Sequence, residues 1–493
     1  MDKTKTTNGK KRLSKAQLER RRRRRRRAIM IRAVSLGAMF LLLIGVIWGV
    51  TAGIMRTSKK KAEEKAAQEA QIRKEEEALE NRKNILAKAA ELALGYDYEG
   101  AIELIKNIEG YDQDADLIAA AAEYTAKKSA LVTVDVTNVP HIFYHSLIND
   151  TGRAFNVTVL GQDAVDGQNA WMTTIDEFDK ILEEMYKRGY VFVRLRDLVI
   201  ETVDDEGNVT FKKNTNLKLP EGKKPVILSL DDLSYYHSYK DAGYPEKLVL
   251  DEHGEVKCQY TDASGKTTLG DYDVVPRLET FLKEHPDASY RGARGMIALT
   301  GYNGVLGYRT DVAYKTGENL TADQKEWLEA HPDFDWEEDV KQAKIIAEKM
   351  KEDGWEFASH TWGHLSVTGK SVEALATDHE KWKNTVESIV GKTDIIIFAH
   401  GADIGNWKDY SDDNPQYAYY KSQGFNYFCN VDGSQKAWIQ IREDYVRQGR
   451  INLDGFMLYK AMQGKTEVTE DFFDAAKIFD PARPTPVVAS GKE

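Results

Sequence analysis

Pro225-Val226-Ile227-Leu228-Ser229-Leu230-Asp231-Asp232 is an aliphatic run that ends on two carboxylates. Six residues of this kind make a buried-type strand. Four further runs have the same form. Trp355 to Ala358 leads into Ser359-His360-Thr361-Trp362-Gly363-His364, and Ile395 to Ala399 into His400-Gly401-Ala402-Asp403. Phe425 to Cys429 ends on Asn430-Val431-Asp432, and Ile142-Phe143-Tyr144 ends on His145. Helical stretches lie between these runs, which is the texture of an α/β domain. In parallel α/β barrels the reactive side chains stand at the C-terminal ends of the strands. Polar residues capping five successive apolar runs therefore point to one shared site.

The residue types say what such a site does. His360 and His364 are four apart and turn two imidazoles toward one point if the segment is helical or a tight turn. A carboxylate from another strand completes a His₂-carboxylate set with open positions, which suits Zn²⁺ or another divalent ion. A second carboxylate beside the activated water serves as general base in a metal-assisted hydrolysis. The adjacent Asp231 and Asp232 supply one of each.

At these residues the sequence resembles the polysaccharide deacetylase family (NodB homology, carbohydrate esterase family 4). Pro140-His141-Ile142-Phe143-Tyr144-His145 is similar to the family's opening Pro-x-x-x-Tyr-His. Leu228 to Asp232 matches its Asp-Asp motif, and His360 to His364 its His-x-x-x-His motif. The resemblance covers residues 139–462. It implies a distorted (β/α) barrel of about seven strands and removal of acetyl groups, chiefly N-acetyl, from a glycan. It makes Asp231 the base and Asp232, His360 and His364 the ligands of a divalent metal, zinc foremost, with Co²⁺, Ni²⁺ and Mn²⁺ also accommodated.

The chain departs from the family in its later motifs. Leu233 stands where Gly usually follows Asp-Asp. The family's third motif, which places Arg, Pro and an aromatic residue near the base, aligns with Ile397, Ala399 and His400, so the arginine that orients the base is missing there. No Leu-x-His acid motif is present, and no histidine follows His400. His400 is the candidate acid in its stead, set against its reading as a hydrogen-bonding loop residue. A barrel that binds glycan without turning it over is the alternative function. Tyr235, Trp362 and His145 are the candidate substrate contacts, within a wider aromatic set of Tyr236, Tyr302, Tyr308 and Trp407, because aromatic faces stack on sugar rings. Leu248 to Leu269, with turns at Asp251 to Gly254 and Ser264-Gly265, reads as a hairpin insertion placed to roof the cleft.

The N-terminal part belongs to another regime. Residues 1–27 hold 14 basic side chains against Asp2 and Glu19, a net +12 in a chain of net −10, which leaves about −22 for the rest. Ala33 to Met55 is an uncharged run bounded by Arg32 and Arg56, about 34 Å as a helix and long enough to span a bilayer. The Arg20–Arg27 block keeps the N-terminus cytoplasmic and sends the rest of the chain outside. That block lacks interleaved aromatics and abuts the membrane run, so no nucleic-acid partner is expected. Residues 57–94 contain neither Pro nor Gly and are rich in Ala, Glu and Lys, which favours a solvated helix. Two shorter helices follow, a tetratricopeptide-like hairpin. Cys258 and Cys429 make no disulfide framework and no C-x-x-C metal site. The expected order is a basic cytoplasmic tail (1–32), a transmembrane helix (33–55), a helical stalk (56–131), the deacetylase-like domain (139–462) and a C-terminal tail (463–493). The partners that follow are a cell-wall or secreted polysaccharide and the cell membrane. Nothing in the sequence sets an oligomeric state.

Overall fold

The computed structural model describes residues 58–489, together with Met30. The expected membrane run 33–55, and the basic tail apart from Met30, lie outside the described residues. Among the described residues no helix is long and apolar enough to cross a membrane. The chain divides into two units, Met1–Ala93 with Tyr98–Thr125, and Leu94–Asp97 with Ala126–Glu493.

Over its described residues the first unit is helical. It is built from α1 (Ser58–Leu94), α2 (Tyr98–Lys106) and most of α3 (Ala115–Ser129). Its small core joins Ala89, Ala101, Ile105, Ile108, Leu117 and Ala121. Asp114 caps α3 by accepting from the backbone N–H of Asp116 and Leu117, and it also pairs with Arg82 of α1.

The second unit is a closed parallel barrel of seven strands. They are β1 (His141–Tyr144), β2 (Lys224–Asp231), β3 (Met296–Leu299), β4 (Glu356–Ser359), β5 (Ile395–Ile397), β6 (Tyr427–Val431) and β7 (Val446–Asn452). β1 to β7 pair in chain order, and β7 closes on β1, every pairing parallel. The closure is uneven. β4 meets β5 at the single pair Ser359↔Ile396, and β7 meets β1 at two pairs, so the barrel is distorted at those seams. Helices pack outside. In α4 (Ile175–Lys187) the capping box Thr174–Glu177 starts a helix that buries Phe178, Ile181, Leu182 and Met185 on one face. In α5 (Trp336–Asp353) Ala343, Ile346, Ala347 and Met350 do the same.

Register assigns the inner face. Parallel partners share a side and alternate along each strand. Asn452↔Phe143 and Phe143↔Ser229 therefore put Gln448, Arg450, His141, Phe143, Ser229 and Asp231 on one side. This interior is polar for a barrel of this size, and His141, Ser229, Gln448 and Arg450 are fully buried in it.

Two expectations change in form. The insertion after β2 is a three-stranded antiparallel sheet, Lys247–Leu250, Val256–Thr261 and Thr267–Gly270. It drives Leu248, Val256 and Cys258 into the main core. The expected C-terminal tail is part of the domain over its described length. Phe472, Phe473 and Ile478 join the main core, and Arg483 forms a fully buried ion pair with Glu177 of α4 at 2.6 Å.

Candidate active site

Asp231 is the last residue of β2, and the chain turns at once, because Asp232 adopts a left-handed φ of 61°. The turn sends two consecutive carboxylates into one site rather than to opposite faces. At the end of β4 the His360 N–H still bonds to Leu299 O at 3.0 Å, and left-handed Thr361 and His364 then fold the segment back. Asp378 fixes that loop, accepting from the N–H groups of Trp362 (2.7 Å) and Gly363 (2.9 Å).

The donor atoms of Asp232, His360 and His364 lie within 4.8 Å of one another. Two ligands each about 2.1 Å from a tetrahedral zinc are about 3.4 Å apart. Asp232 Oδ2 and His364 Nε2 are 3.5 Å apart. His360 Nδ1–H donates to Ile397 O at 2.7 Å, leaving Nε2 as the ligand atom. Tyr236 Oη–H donates to Asp232 Oδ1 at 2.6 Å, leaving Oδ2 to the metal. Burial, opposed by the charge of Asp232, lowers the His364 pKa, toward the neutral form that ligation requires. The set fits zinc or another divalent ion.

Asp231 is held differently. Arg450, on β7, donates from Nη1 to Oδ1 (2.7 Å) and from Nη2 to Oδ2 (2.9 Å). Between them lies β1, and the guanidinium crosses the face of Phe143 at 4.1 Å. Burial by itself raises the Asp231 pKa, but the charges of Arg450 and then His360 outweigh it and lower it to about 2. Asp232 is also held below its ordinary value. Burial again opposes, and the charges of His364, His360 and His145 prevail. The guanidinium beside Asp231 thus comes from β7 and not from the loop after β5.

Two more imidazoles border the carboxylates. His145 anchors Nδ1 on Trp171 O at 3.1 Å. His400 is exposed, packs its ring 4.2 Å from that of His364, and binds His364 O through Nε2 at 3.1 Å. Burial, then the charge of His364, lowers its pKa.

The expected substrate contacts separate. Tyr235 is in the core, with its hydroxyl 3.7 Å from Cys258 Sγ, because the turn after Asp232 points it inward. Its neighbour Tyr236 takes the place at the site, stacked on Tyr302 at 5.0 Å. Trp362 is half-buried beside Tyr302, with the Lys381 ammonium 4.1 Å over its ring. Tyr308 is buried and donates to Leu248 O. Trp407 is 45% exposed. With Asp432, Ser434, Gln435 and Trp438 it lines a cleft of about 370 Å³ on the loops after β5 and β6. A cavity of about 520 Å³ at the opposite end, by Pro140 and Pro225, holds none of these groups.

Residues 327–411 match the family model described as polysaccharide deacetylase. That segment is similar to the polysaccharide deacetylase family. The segment that matches contains His360, His364, Asp378 and His400, while Asp231, Asp232 and Arg450 lie outside it and reach it through the fold. No curated protein matches the chain. Among solved structures it is similar to a Streptococcus pyogenes deacetylase, PplD, in complex with acetate. That likeness has 14% identity and a TM-score of 0.31, and it covers 66% of this chain and 94% of the other.

Sequence reasoning missed Arg450 and Asp378, and it placed Tyr236 in the wider aromatic set without its hydrogen bond to Asp232. Arg450 carried a legible signal. An arginine inside a strand that runs Val446 to Asn452 with no acidic residue in it needs a buried anion from elsewhere.

Proposed function

We propose that this chain is a membrane-anchored, outward-facing, metal-dependent hydrolase that removes acetyl groups, chiefly N-acetyl, from a cell-wall or secreted polysaccharide. One observation carries the reading: a buried carboxylate, Asp231, is forked by Arg450 beside the Asp232, His360 and His364 donor set. Asp232, His360 and His364 would hold a divalent ion, which would supply the polarisation of an acyl carbonyl and the acidification of water that a base as weak as Asp231 requires.

The chain's own residues supply the rest. Asp231 is ionised at any working pH, and it accepts the proton of the attacking water at the carboxylate edge facing His360, whose Nε2 is 3.9 Å away. Arg450 keeps both oxygens in one plane and prevents Asp231 from turning into the metal set. His400, open to solvent one ring beyond His364, takes a proton from solvent at Nδ1 and passes it to the departing amine, its Nε2–H staying on His364 O. His145, fixed on Trp171 O, orients the acyl group. Tyr236, Tyr302 and the Trp407–Trp438 cleft offer faces to sugar rings. Two departures favour a non-catalytic glycan binder, the missing loop arginine and the missing late histidine; Arg450 answers the first, and the second stands. The anchor and outward orientation rest on the uncharged run 33–55 and the Arg20–Arg27 block.

The test is acetate release from an N-acetylated glucosamine oligomer by the zinc-loaded chain. Asp231→Asn should abolish release with zinc retained. A wild-type chain that takes up no divalent metal, or an Asp231→Asn variant as active as wild type, sinks the reading.

A further inference from the structure

Behind Asp231 a row of buried polar groups continues into the barrel, and the metal chemistry above makes no use of it. Arg450 Nη1 also donates to Ser229 Oγ at 3.1 Å. Ser229 Oγ lies 3.0 Å from His141 Nε2, and His141 Nδ1 lies 3.0 Å from Gln448 Oε1. Gln448 Nε2 then donates to Val139 O at 3.0 Å.

The donor directions are settled from both ends. A guanidinium only donates, so Ser229 Oγ accepts from Arg450 and has its own proton to give. A backbone carbonyl only accepts, so the Gln448 amide nitrogen faces Val139 and its oxygen faces His141. His141 must therefore donate from Nδ1 and accept at Nε2. Every group in the row then donates to the next, from Arg450 to Ser229, His141, Gln448 and Val139. An imidazolium, or the other neutral tautomer, leaves the Ser229 hydroxyl proton without its acceptor.

We infer that Ser229 and His141, as a fixed Nδ1–H tautomer, are positioning residues that set the Arg450 fork on Asp231. This rests on the deacetylase reading for its catalytic consequence. Arg450 needs such a hold. Its Nε finds no partner among the described residues. Apart from Asp231, Ser229 is the one hydrogen-bond acceptor of its guanidinium among them. Phe143 supports the plane but does not fix its rotation. Ser229, His141 and Gln448 are fully buried, so none of them meets substrate. Burial, then the Arg450 charge, keeps His141 uncharged.

The test uses the zinc-loaded chain with Ser229→Ala and Ser229→Thr, the second keeping the oxygen. The substrate is an N-acetylated glucosamine oligomer. Losing a hydrogen bond to a charged group predicts a kcat about tenfold to a hundredfold lower for Ser229→Ala. KM should stay within about twofold and zinc content should be unchanged, the signature of misplaced chemistry rather than weakened binding. Ser229→Thr should restore kcat to within about threefold of wild type. The ¹⁵N spectrum of His141, assigned by its loss in His141→Gln, should show the neutral Nδ1–H form from about pH 5 to about pH 8. An unchanged kcat in Ser229→Ala overturns the inference. A loss that follows loss of zinc, or an imidazolium or Nε2–H His141, does so too. Were wild type to hold zinc yet release no acetate, the deacetylase reading would fall while the His141 spectrum still judged the row.

Discussion

Replacing Arg450 by methionine keeps an apolar stem over Phe143 and removes the fork from Asp231. Arg450 is fully buried and Asp231 is 4% exposed in its side chain, so the carboxylate gains no water in exchange. Breaking a buried pair by removing one partner costs about 3–5 kcal/mol. The pH dependence gives this figure a direction. In wild type the Asp231 pKa is lowered from 3.8 to about 2, worth roughly 2 kcal/mol at about 1.4 kcal/mol per tenfold change in proton affinity. A depressed folded-state pKa contributes stability that is complete above 3.8 and is lost as pH falls through about 2. Without Arg450, burial dominates and the folded-state pKa rises above 3.8, so the sign reverses. The Asp231 contribution is then most favourable below the unfolded value and is lost as pH rises through the new folded one. The gap between wild type and Arg450→Met should therefore be widest at neutral pH, about 3–5 kcal/mol, and shrink toward about pH 4. Urea unfolding of the metal-free chains at a series of pH values measures it. A gap under about 1 kcal/mol at neutral pH, or one that does not change with pH, refutes the argument.

His360→Ala should take up no zinc after dialysis, by elemental analysis, because two donors remain where three stood. Trp407→Ala should raise KM on an N-acetylated glucosamine oligomer about threefold to tenfold with kcat nearly unchanged, the loss of one stacking face. Arg483→Met should lower the thermal midpoint by roughly 10 °C with zinc content intact, since it strands the buried Glu177 carboxylate.

The strand ends were readable because each is local. An apolar run of four to six residues, then a polar group, is written in consecutive residues, and so is the four-residue spacing of His360 and His364. The helices Tyr98–Lys106 and Ala115–Ser129 were visible for the same reason. Tyr235 and Tyr236 show where local reading stops. Both are tyrosines after a strand end, and a left-handed turn at Asp232 and Tyr235 decides which one enters the core. The C-terminal segment read as a tail because its apolar residues have no period of their own; they complete a face built by α4.

Asp231, Asp232, His360 and His364 were named by sequence alone as one chemical set, since residue type and strand-end position sufficed. What only the tertiary structure decided is how Asp231 is held. Its partner Arg450 is 219 residues away, and the two meet because barrel closure puts β7 and β2 on either side of β1 with their inner faces in phase. A sequence records the alternation of each strand but not its phase against a strand that is distant along the chain. That phase turns an arginine two residues before Asn452 into the fork on the base.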